Sequence, residues 1–170
     1  VHDFGLRTLA SVWTTEPQLL AVEVYSFVGL IQTPRFLRRC TRLVSISQLT
    51  REVLARRTGL DSVVIHHWAD DKRFHPRLKQ EARAGLGLPL NRKVILNVSA
   101  GTANKNLRML RSVIRALPED YVLVKVGFPI KGCEDRVRNL GTVPAEVYPQ
   151  YFNAADAYVH CSLTEGFGRP

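Results

Sequence analysis

Acidic residues and cysteines are scarce in this 170-residue chain, and both shortages restrict what it can be. It has 15 aspartates and glutamates against 24 lysines and arginines, which leaves a net charge of +9. Its three cysteines, Cys40, Cys133 and Cys161, are far apart and form no CxxC pair. This spacing argues against a disulfide framework or a cysteine-based zinc site, and it fits a protein of the reducing cytoplasm.

Long apolar runs are missing as well. No stretch reaches the ~18 residues that a membrane-spanning helix needs, and the first residues have neither the basic nor the apolar region of a secretory signal peptide. Glycine and proline, 11 and 9 residues, follow no period, which excludes a collagen-like fibre. Apolar residues make up 45% of the chain, as in an ordinary globular protein, so a buried core is expected and disorder is not.

The basic surplus favours polyanionic partners, and its densest part lies between Arg35 and Arg57. Three interpretations of this segment stay open: an ordinary solvated face, a surface for an anionic membrane or a protein partner, and a nucleic-acid site. No recognised nucleic-acid motif or aromatic stripe accompanies the charge, so a nucleic-acid partner is not expected.

Strand-like and helix-like segments alternate along the chain, which predicts an α/β fold with mainly parallel sheets. A helix is predicted from Arg35 to Thr41, and Ser47 and Gly59 are predicted to bound another. The remaining predicted strands are 43–46, 62–65, 93–98, 121–126 and 156–161, and the remaining predicted helices are 77–85, one beginning near Leu107, and 144–155 with a kink at Pro149. The segment 66–76 has no clean period and predicts a hinge between two α/β units.

Ligands of open α/β sheets bind at the carboxyl ends of the strands, and two loops there have suitable residues. The first runs from Ser99 to Asn106: its small residues allow close backbone approach, and Lys105 places a cation beside a helix start. The second, 162–170, contains Glu165 followed by Gly166-Phe167-Gly168, whose main-chain N–H groups can face a ligand. No GxGxxG follows a strand, which excludes a nicotinamide-dinucleotide enzyme of the Rossmann type.

The segment from Leu140 to Pro170 resembles the donor-site segment of the retaining GT-B glycosyltransferases of family 4. The matching positions are Gly141, Val143, Tyr151, Ala155, Asp156, Ser162, Glu165, Gly166, Phe167, Gly168 and Pro170. Lys105-Asn106-Leu107 is similar to the family's K-N-L at a helix start, although Ala100 stands where many members have arginine. Val1-His2-Asp3 is similar to the H-D that ends a strand of the family's amino-terminal domain.

The resemblance implies a GT-B fold, cut so that the chain holds parts of two Rossmann-like domains. Residues 1–75 would be the last part of the acceptor domain and 76–170 the first part of the donor domain. The expected donor-binding residues are Ser99, Ala100, Gly101, Lys105, Asn106, Glu165, Gly166, Phe167 and Gly168. His2, Lys105 and Glu165 are the expected catalytic residues, with no metal and no cofactor beyond the nucleotide-sugar donor.

The implied activity is transfer of a sugar from a nucleotide-sugar donor to a sugar or lipid-linked acceptor, with retention of anomeric configuration. Polysaccharide, lipopolysaccharide or glycolipid biosynthesis is the implied setting, in the cytoplasm and with peripheral contact to an anionic membrane. One alternative is a catalytically incomplete nucleotide-sugar-binding fragment, because the family's proteins extend beyond both ends of this chain. A basic nucleic-acid-binding α/β module is the second alternative.

Overall fold

The structure, a computed structural model, describes residues 10–16, 19–24, 37–165, 167 and 168. This part of the chain has an α/β fold with two four-stranded sheets, as the alternating pattern predicts. It divides into two compact units, with the division in the chain between Trp68 and Ala69; residues 165, 167 and 168 group with the first unit. Within the described residues, no helix has the length and apolarity needed to cross a membrane.

The first unit contains a sheet of order β1-β2-β3-β4. Its strands are β1 (Ala10–Glu16), β2 (Leu19–Val24), β3 (Arg42–Ser45) and β4 (Val63–Val64). β1 and β2 pair antiparallel, whereas β2, β3 and β4 run parallel to one another. Neither β1 nor β2 is predicted from the sequence, so the antiparallel edge of this sheet is a finding of the structure.

Helix α1 (Gln48–Thr58) follows β3 and ends where the sequence predicts. The Ser47 hydroxyl accepts a hydrogen bond from the Thr50 N–H, and Gly59 closes the helix in the left-handed region at φ 71°. The helix buries Leu54. The helix predicted for 35–41 is wrong in its second half: the chain is helical at Leu37 but turns at residues 38–39, and 35–36 lie outside the described residues.

The second unit contains a fully parallel sheet of order β7-β6-β5-β8. Its strands are β5 (Lys93–Ser99), β6 (Tyr121–Gly127), β7 (Val137–Gly141) and β8 (Ala157–Tyr158). The central strands β5 and β6 are almost entirely buried, as expected for parallel strands covered on both faces. β8 is much shorter than the predicted strand 156–161, and the edge strand β7 is not predicted because polar residues interrupt its apolar positions.

Helices cover both faces of this second sheet. They are α2 (Lys79–Gly85), α3 (Leu107–Ala116) and α4 (Tyr148–Ala154). α3 packs Leu110 and Ile114 on one face, and α2 and α4 cover the other through Ala82 and Ala154. The predicted kink at Pro149 is wrong, because the helix begins at Tyr148 and Pro149 falls in its first turn, where proline's missing N–H costs no hydrogen bond.

Candidate functional site

The carboxyl ends of the second unit's four parallel strands lie along one edge of its sheet. Three of the loops that leave this edge are 100–106 after β5, 128–136 after β6 and 159–164 after β8. In open parallel sheets this edge is where ligands bind, because connecting loops open there and leave backbone groups accessible. The candidate site of this chain is therefore built from these loops.

The loop after β5 reaches helix α3 through a short 3₁₀ turn, Ala103–Lys105. Asn106 follows in the left-handed region at φ 48°, and its side-chain oxygen accepts a hydrogen bond from the Met109 N–H at 3.4 Å. The α-helix thus begins two residues after Lys105, and Asn106 already caps one of its first N–H groups. Lys105 is half-buried at the end of the turn, beside the loop of small residues that the sequence singles out.

Asn104 joins the loop after β5 to the loop after β8. Its carbonyl accepts a hydrogen bond from the Leu163 N–H at 2.8 Å, and its side-chain amide donates to the Thr164 carbonyl at 3.4 Å. The Thr102 hydroxyl in turn donates to the Asn104 side-chain oxygen at 2.7 Å. Two of the loops predicted to bind the donor are therefore physically connected, through a residue that the sequence motifs do not indicate.

Gly101 and Phe128 bring the loops after β5 and β6 into contact. A Cβ atom added at Gly101 would lie 2.5 Å from the Phe128 ring, so only glycine allows the ring to rest on this backbone. Phe128 is 56% exposed, and Ala100 and Gly101 are exposed beside it. The result is an exposed aromatic ring beside two exposed small residues, which suits a flat ligand.

Three polar side chains lie side by side on three neighbouring strands, each two residues before the end of its strand. Asn97 on β5 pairs with Lys125 on β6, and Lys125 pairs with Asn139 on β7. We call these three residues the polar row. Each of them binds main-chain atoms near the carboxyl edge, so the row fixes the bases of the loops that form the candidate site.

Lys125 is the centre of the polar row and is fully buried. Its Nζ donates to the Ser99 carbonyl at 2.9 Å and to the Val126 carbonyl at 2.7 Å. Burial lowers the pKa of its ammonium to about 8, because the charged form loses its hydration. Within the described residues no carboxylate pairs with it, so two carbonyl dipoles provide the partners of this cation.

The two asparagines of the row hold neighbouring segments in the same way. Asn97 donates from Nδ2 to the Val159 carbonyl at 2.7 Å, just after β8. Asn139 accepts from the Ile130 N–H at 3.0 Å and donates to the Ile130 carbonyl at 2.9 Å, in the loop after β6. The sequence signal that could have found the row is a polar residue at the same offset in three successive strands.

Ser99, a predicted donor-binding residue, faces inward. Its hydroxyl donates to the Asn97 side-chain oxygen at 2.7 Å and is buried, while its carbonyl accepts from Lys125 and from the Phe128 N–H at 3.0 Å. Gly127, at φ 91°, leaves room for that carbonyl, because a Cβ there would lie 2.5 Å from it. Ser99 therefore shapes the loop, and its direct contact with a donor stays a prediction.

The remaining predicted site residues group with the first unit or are not described. Glu165 is half-buried and directly follows the loop after β8 in the chain. The Phe167 ring lies with its centroid 5.5 Å from that of His67 and 6.0 Å from that of His66, and Gly168 has φ 82°. His2 and Gly166 lie outside the described residues, so their predicted roles stay predictions.

The side chains of the described ranges offer no metal centre. Across residues 37–165, 167 and 168, no three histidine, cysteine, aspartate or glutamate side chains come together in a way that could hold an ion. The absence of a metal requirement stays a prediction of the family resemblance.

Solved structures with the same fold are glycosyltransferases of the GT-B type. The chain superimposes on sucrose-phosphate synthase from Thermosynechococcus elongatus with a TM-score of 0.69 and 22% identity, covering 84% of this chain and 40% of that one. Anabaena HepE in complex with UDP-glucose gives a TM-score of 0.68 and 23% identity, covering 85% of this chain and 45% of HepE. HepE in complex with UDP and glucose gives a TM-score of 0.67 and 22% identity, and the match covers 84% of this chain and 44% of HepE.

These similarities confirm the predicted fold: the chain has the architecture of part of a GT-B protein, with pieces of two Rossmann-like domains. The chain spans less than half the length of the solved structures it matches. No protein-family model and no curated protein matches the sequence. At this level of identity the likeness establishes the fold alone.

Proposed function

We propose that this chain is part of a glycosyltransferase that binds a nucleotide-sugar donor at the carboxyl edge of its second sheet. The observation that carries the proposal is the contact between the loops after β5 and β8 through Asn104, beside the exposed residues Ala100 and Gly101. Two connected loops at the carboxyl ends of parallel strands are suited to a diphosphate, because phosphates bind where such loops lead into helices. HepE, which has the same fold, has been solved with UDP-glucose, and this supports a uridine nucleotide as the first donor to test.

In the proposed mechanism Lys105 and the Ala100–Gly101 backbone stabilise the diphosphate as it leaves the anomeric carbon. Negative charge grows on the leaving group in the transition state, so a cation fixed beside it lowers the barrier without itself reacting. Glu165 accepts hydrogen bonds from hydroxyl groups of the donor sugar. His2 acts at the same sugar, and the reaction retains the anomeric configuration, as the family resemblance implies.

The acceptor is a sugar or a lipid-linked sugar, which places the reaction in polysaccharide, lipopolysaccharide or glycolipid synthesis. The basic segment between Arg35 and Arg57, in which Arg38, Arg39 and Arg42 are exposed, supports a peripheral contact with the inner face of an anionic membrane. No cofactor is required beyond the donor itself. The competing proposal is a chain that binds the nucleotide sugar but does not transfer it.

Calorimetric titration of UDP into the 170-residue chain tests the proposal. Lys105→Ala should weaken UDP binding by about tenfold or more, since a hydrogen bond to a charged group contributes ~1.5–3 kcal/mol. The matched control is Lys93→Ala, which removes an exposed lysine from the opposite, amino end of β5. Glu165→Gln should leave UDP binding close to wild type, because the carboxylate is assigned to the sugar.

Two results would contradict this assignment. Equal weakening by Lys105→Ala and Lys93→Ala would mean that only the net positive charge matters. A loss of UDP affinity in Glu165→Gln as large as that in Lys105→Ala would remove the separate roles of the two residues. Sugar transfer measured with UDP-glucose then separates an active enzyme from a chain that only binds the donor.

A further inference from the structure

The polar row places a buried cation directly beneath the candidate donor site. Lys125 lies between Asn97 and Asn139 on neighbouring strands, on the sheet face that α3 covers with Leu110 and Ile114. Burying a lysine is costly unless its ammonium gains partners or a function, because the charged form loses water. An apolar residue of similar length would fill the same space at lower cost, so the stability of the fold does not by itself account for a lysine at this position.

The hydrogen bonds of Lys125 explain what the side chain does. Its Nζ holds the Ser99 carbonyl, the last acceptor of β5, and the same oxygen receives the Phe128 N–H from the loop after β6. Both lone pairs of this oxygen are therefore used by donors from β6 and the loop that follows it. Lys125 thus fixes the point at which the Ala100–Gly101 backbone and the Phe128 ring leave the sheet.

The protonated form of Lys125 differs from the neutral amine in its charge and in its number of hydrogen-bond donors. A neutral amine has two N–H donors and would satisfy the Ser99 and Val126 carbonyls, whereas the ammonium carries a third donor and a full positive charge. A cation held in a region of low dielectric attracts an anion bound at the adjacent edge more strongly than a solvated lysine does. By linkage, a bound anion must in turn stabilise the protonated form of Lys125.

Other groups on this face of the sheet could contribute to any pH response. The titratable side chains packed there are Tyr121, Cys133 and Cys161. The charged residues on the elements that cover this face are Arg108, Arg111 and Arg115 of α3, and Lys131, Glu134, Asp135 and Arg136 of the loop before β7, none of them fully buried. These groups are unchanged in a Lys125 variant, so the difference between wild type and variant isolates the lysine.

We propose that Lys125 is a positioning residue for donor binding: its buried ammonium holds the loops after β5 and β6 in place and couples nucleotide affinity to its own protonation. The inference rests on the proposed function, since the ligand is the diphosphate of the nucleotide-sugar donor. It adds a residue that none of the sequence motifs contains. The lowered pKa of Lys125, about 8, places the coupling in a pH interval that is easily measured.

The first experiment needs no ligand. Amide hydrogen exchange is measured by NMR on the 170-residue chain and on Lys125→Met, which keeps the length of the side chain and removes the donors. The Phe128 amide, bonded to the Ser99 carbonyl, should exchange at least tenfold faster in the variant. The Leu123 amide, on the same strand as Lys125, donates to the Arg136 carbonyl just before β7; it is the internal control, and its exchange should not change. Equal Phe128 exchange in both proteins overturns the positioning role.

The second experiment measures UDP affinity by calorimetry between pH 7.5 and 9.5. This interval lies well above the second pKa of a phosphate, ~6, so the charge of the diphosphate does not change within it. Wild type should lose about tenfold in affinity across this interval and take up a proton on binding, seen as a heat that depends on the buffer. Lys125→Gln, whose side-chain amide keeps N–H donors without the charge, should bind more weakly at pH 7.5 and lose much less affinity across the interval than wild type does. A wild-type pH profile in Lys125→Gln overturns the coupling.

The two readouts separate failure of this inference from failure of the proposed function. If wild type binds no UDP at any pH, the proposed function is wrong and the coupling falls with it, while Phe128 exchange still decides the positioning role. If wild type binds UDP and both variants match it in affinity, pH profile and Phe128 exchange, the function stands and the assignment to Lys125 is wrong. If Lys125→Met does not fold, Lys125→Leu, which also removes the donors, replaces it in the exchange measurement, and Lys125→Gln still provides the pH profile.

Discussion

The guanidinium of Arg83 and the carboxylate of Asp156 form an ion pair that joins α2 to the residue just before β8, with Arg83 only 5% exposed. The Asp156 carboxylate also accepts hydrogen bonds from Lys79 Nζ at 2.8 Å and from the Val94 N–H at 2.7 Å. Arg83 donates in addition to the Ala154 carbonyl at 2.9 Å. The aspartate of the family-like Ala155-Asp156 motif therefore ties a helix to two strands of the second sheet, which is a structural role.

Replacing Asp156 by asparagine should destabilise the chain, with a clear acid dependence. Burial alone would raise the pKa of this carboxyl, but hydrogen bonds from Lys79, Val94 and Arg83 lower it to about 2. A depressed carboxyl pKa stabilises the folded state above the unfolded value near 4, and that contribution is lost as pH falls towards 2. Urea unfolding at pH 7 and at pH 3 should show a larger cost of Asp156→Asn at pH 7.

The matched control for Asp156 is Asp61→Asn, because Asp61 also pairs with an arginine, Arg51 at 2.7 Å, but in an exposed position. Exposed ion pairs contribute little to stability. An equal effect of the two substitutions at pH 7 would mean that the buried network of Arg83 adds nothing beyond an ordinary surface pair.

Replacing Gly127 by alanine should cost more stability than replacing Gly141 by alanine. Both glycines end adjacent parallel strands in the left-handed region, at φ 91° and 66°. Holding a residue that has a Cβ atom in the left-handed region costs ~1–2 kcal/mol at either position. At Gly127 the Cβ would also lie 2.5 Å from the Ser99 carbonyl, whereas nothing lies within 4 Å of a Cβ at Gly141. Chemical unfolding of both variants measures the difference, and equal losses would contradict the close approach at Ser99.

The sequence predicts the regular parts of this fold well because they depend on local signals. Ser47 and Gly59 bound α1 as expected, and the apolar runs of β5 and β6 are both strands. β7 could not be predicted in this way, since Arg138 and Asn139 are exposed at the sheet edge and interrupt its apolar positions. Edge strands bury few residues, so their sequences carry a weak pattern.

The candidate site was predictable only in part, for a different physical reason. Its loops follow from the α/β alternation, because ligands collect at the carboxyl ends of parallel strands. The contacts that hold the loops involve residues far apart in sequence, such as Asn104 with Thr164 and Lys125 with Ser99. No local pattern reports which main-chain carbonyl a buried side chain will reach, so these contacts required the structure.

Gly101→Ala and Phe128→Ala should show strong coupling in a double-mutant cycle. The alanine methyl at 101 would meet the Phe128 ring at 2.5 Å, so the single variant must displace the ring or the loop. Overpacking of this kind costs ~1–3 kcal/mol. Once Phe128 is alanine the methyl has room, and the cost of Gly101→Ala should fall by about 1 kcal/mol or more. Strictly additive free energies of unfolding would show that the ring does not rest on Gly101.

The stability of the chain should rise with pH through the interval in which Lys125 loses its proton. Its folded pKa, about 8, lies below the value of 10.5 for an unperturbed lysine, so between these values the unfolded chain binds more protons than the folded one. The free energy of unfolding therefore increases with pH by up to ~1.4 kcal/mol per unit from this group. Below pH 8 both states are protonated and the contribution is flat.

The measurement is the difference in free energy of unfolding between wild type and Lys125→Met at pH 7, 8 and 9, from urea titrations with a reducing agent present. Burial raises the pKa of the Cys40 and Cys161 thiols, which lowers stability at the upper end of this range, but both proteins contain them and the difference cancels their effect. Lys131→Met, at an exposed lysine, should follow wild type. A constant difference between wild type and Lys125→Met across the three pH values would show that the buried amine does not titrate there, because only a group that changes its protonation on unfolding can give the free energy a slope with pH.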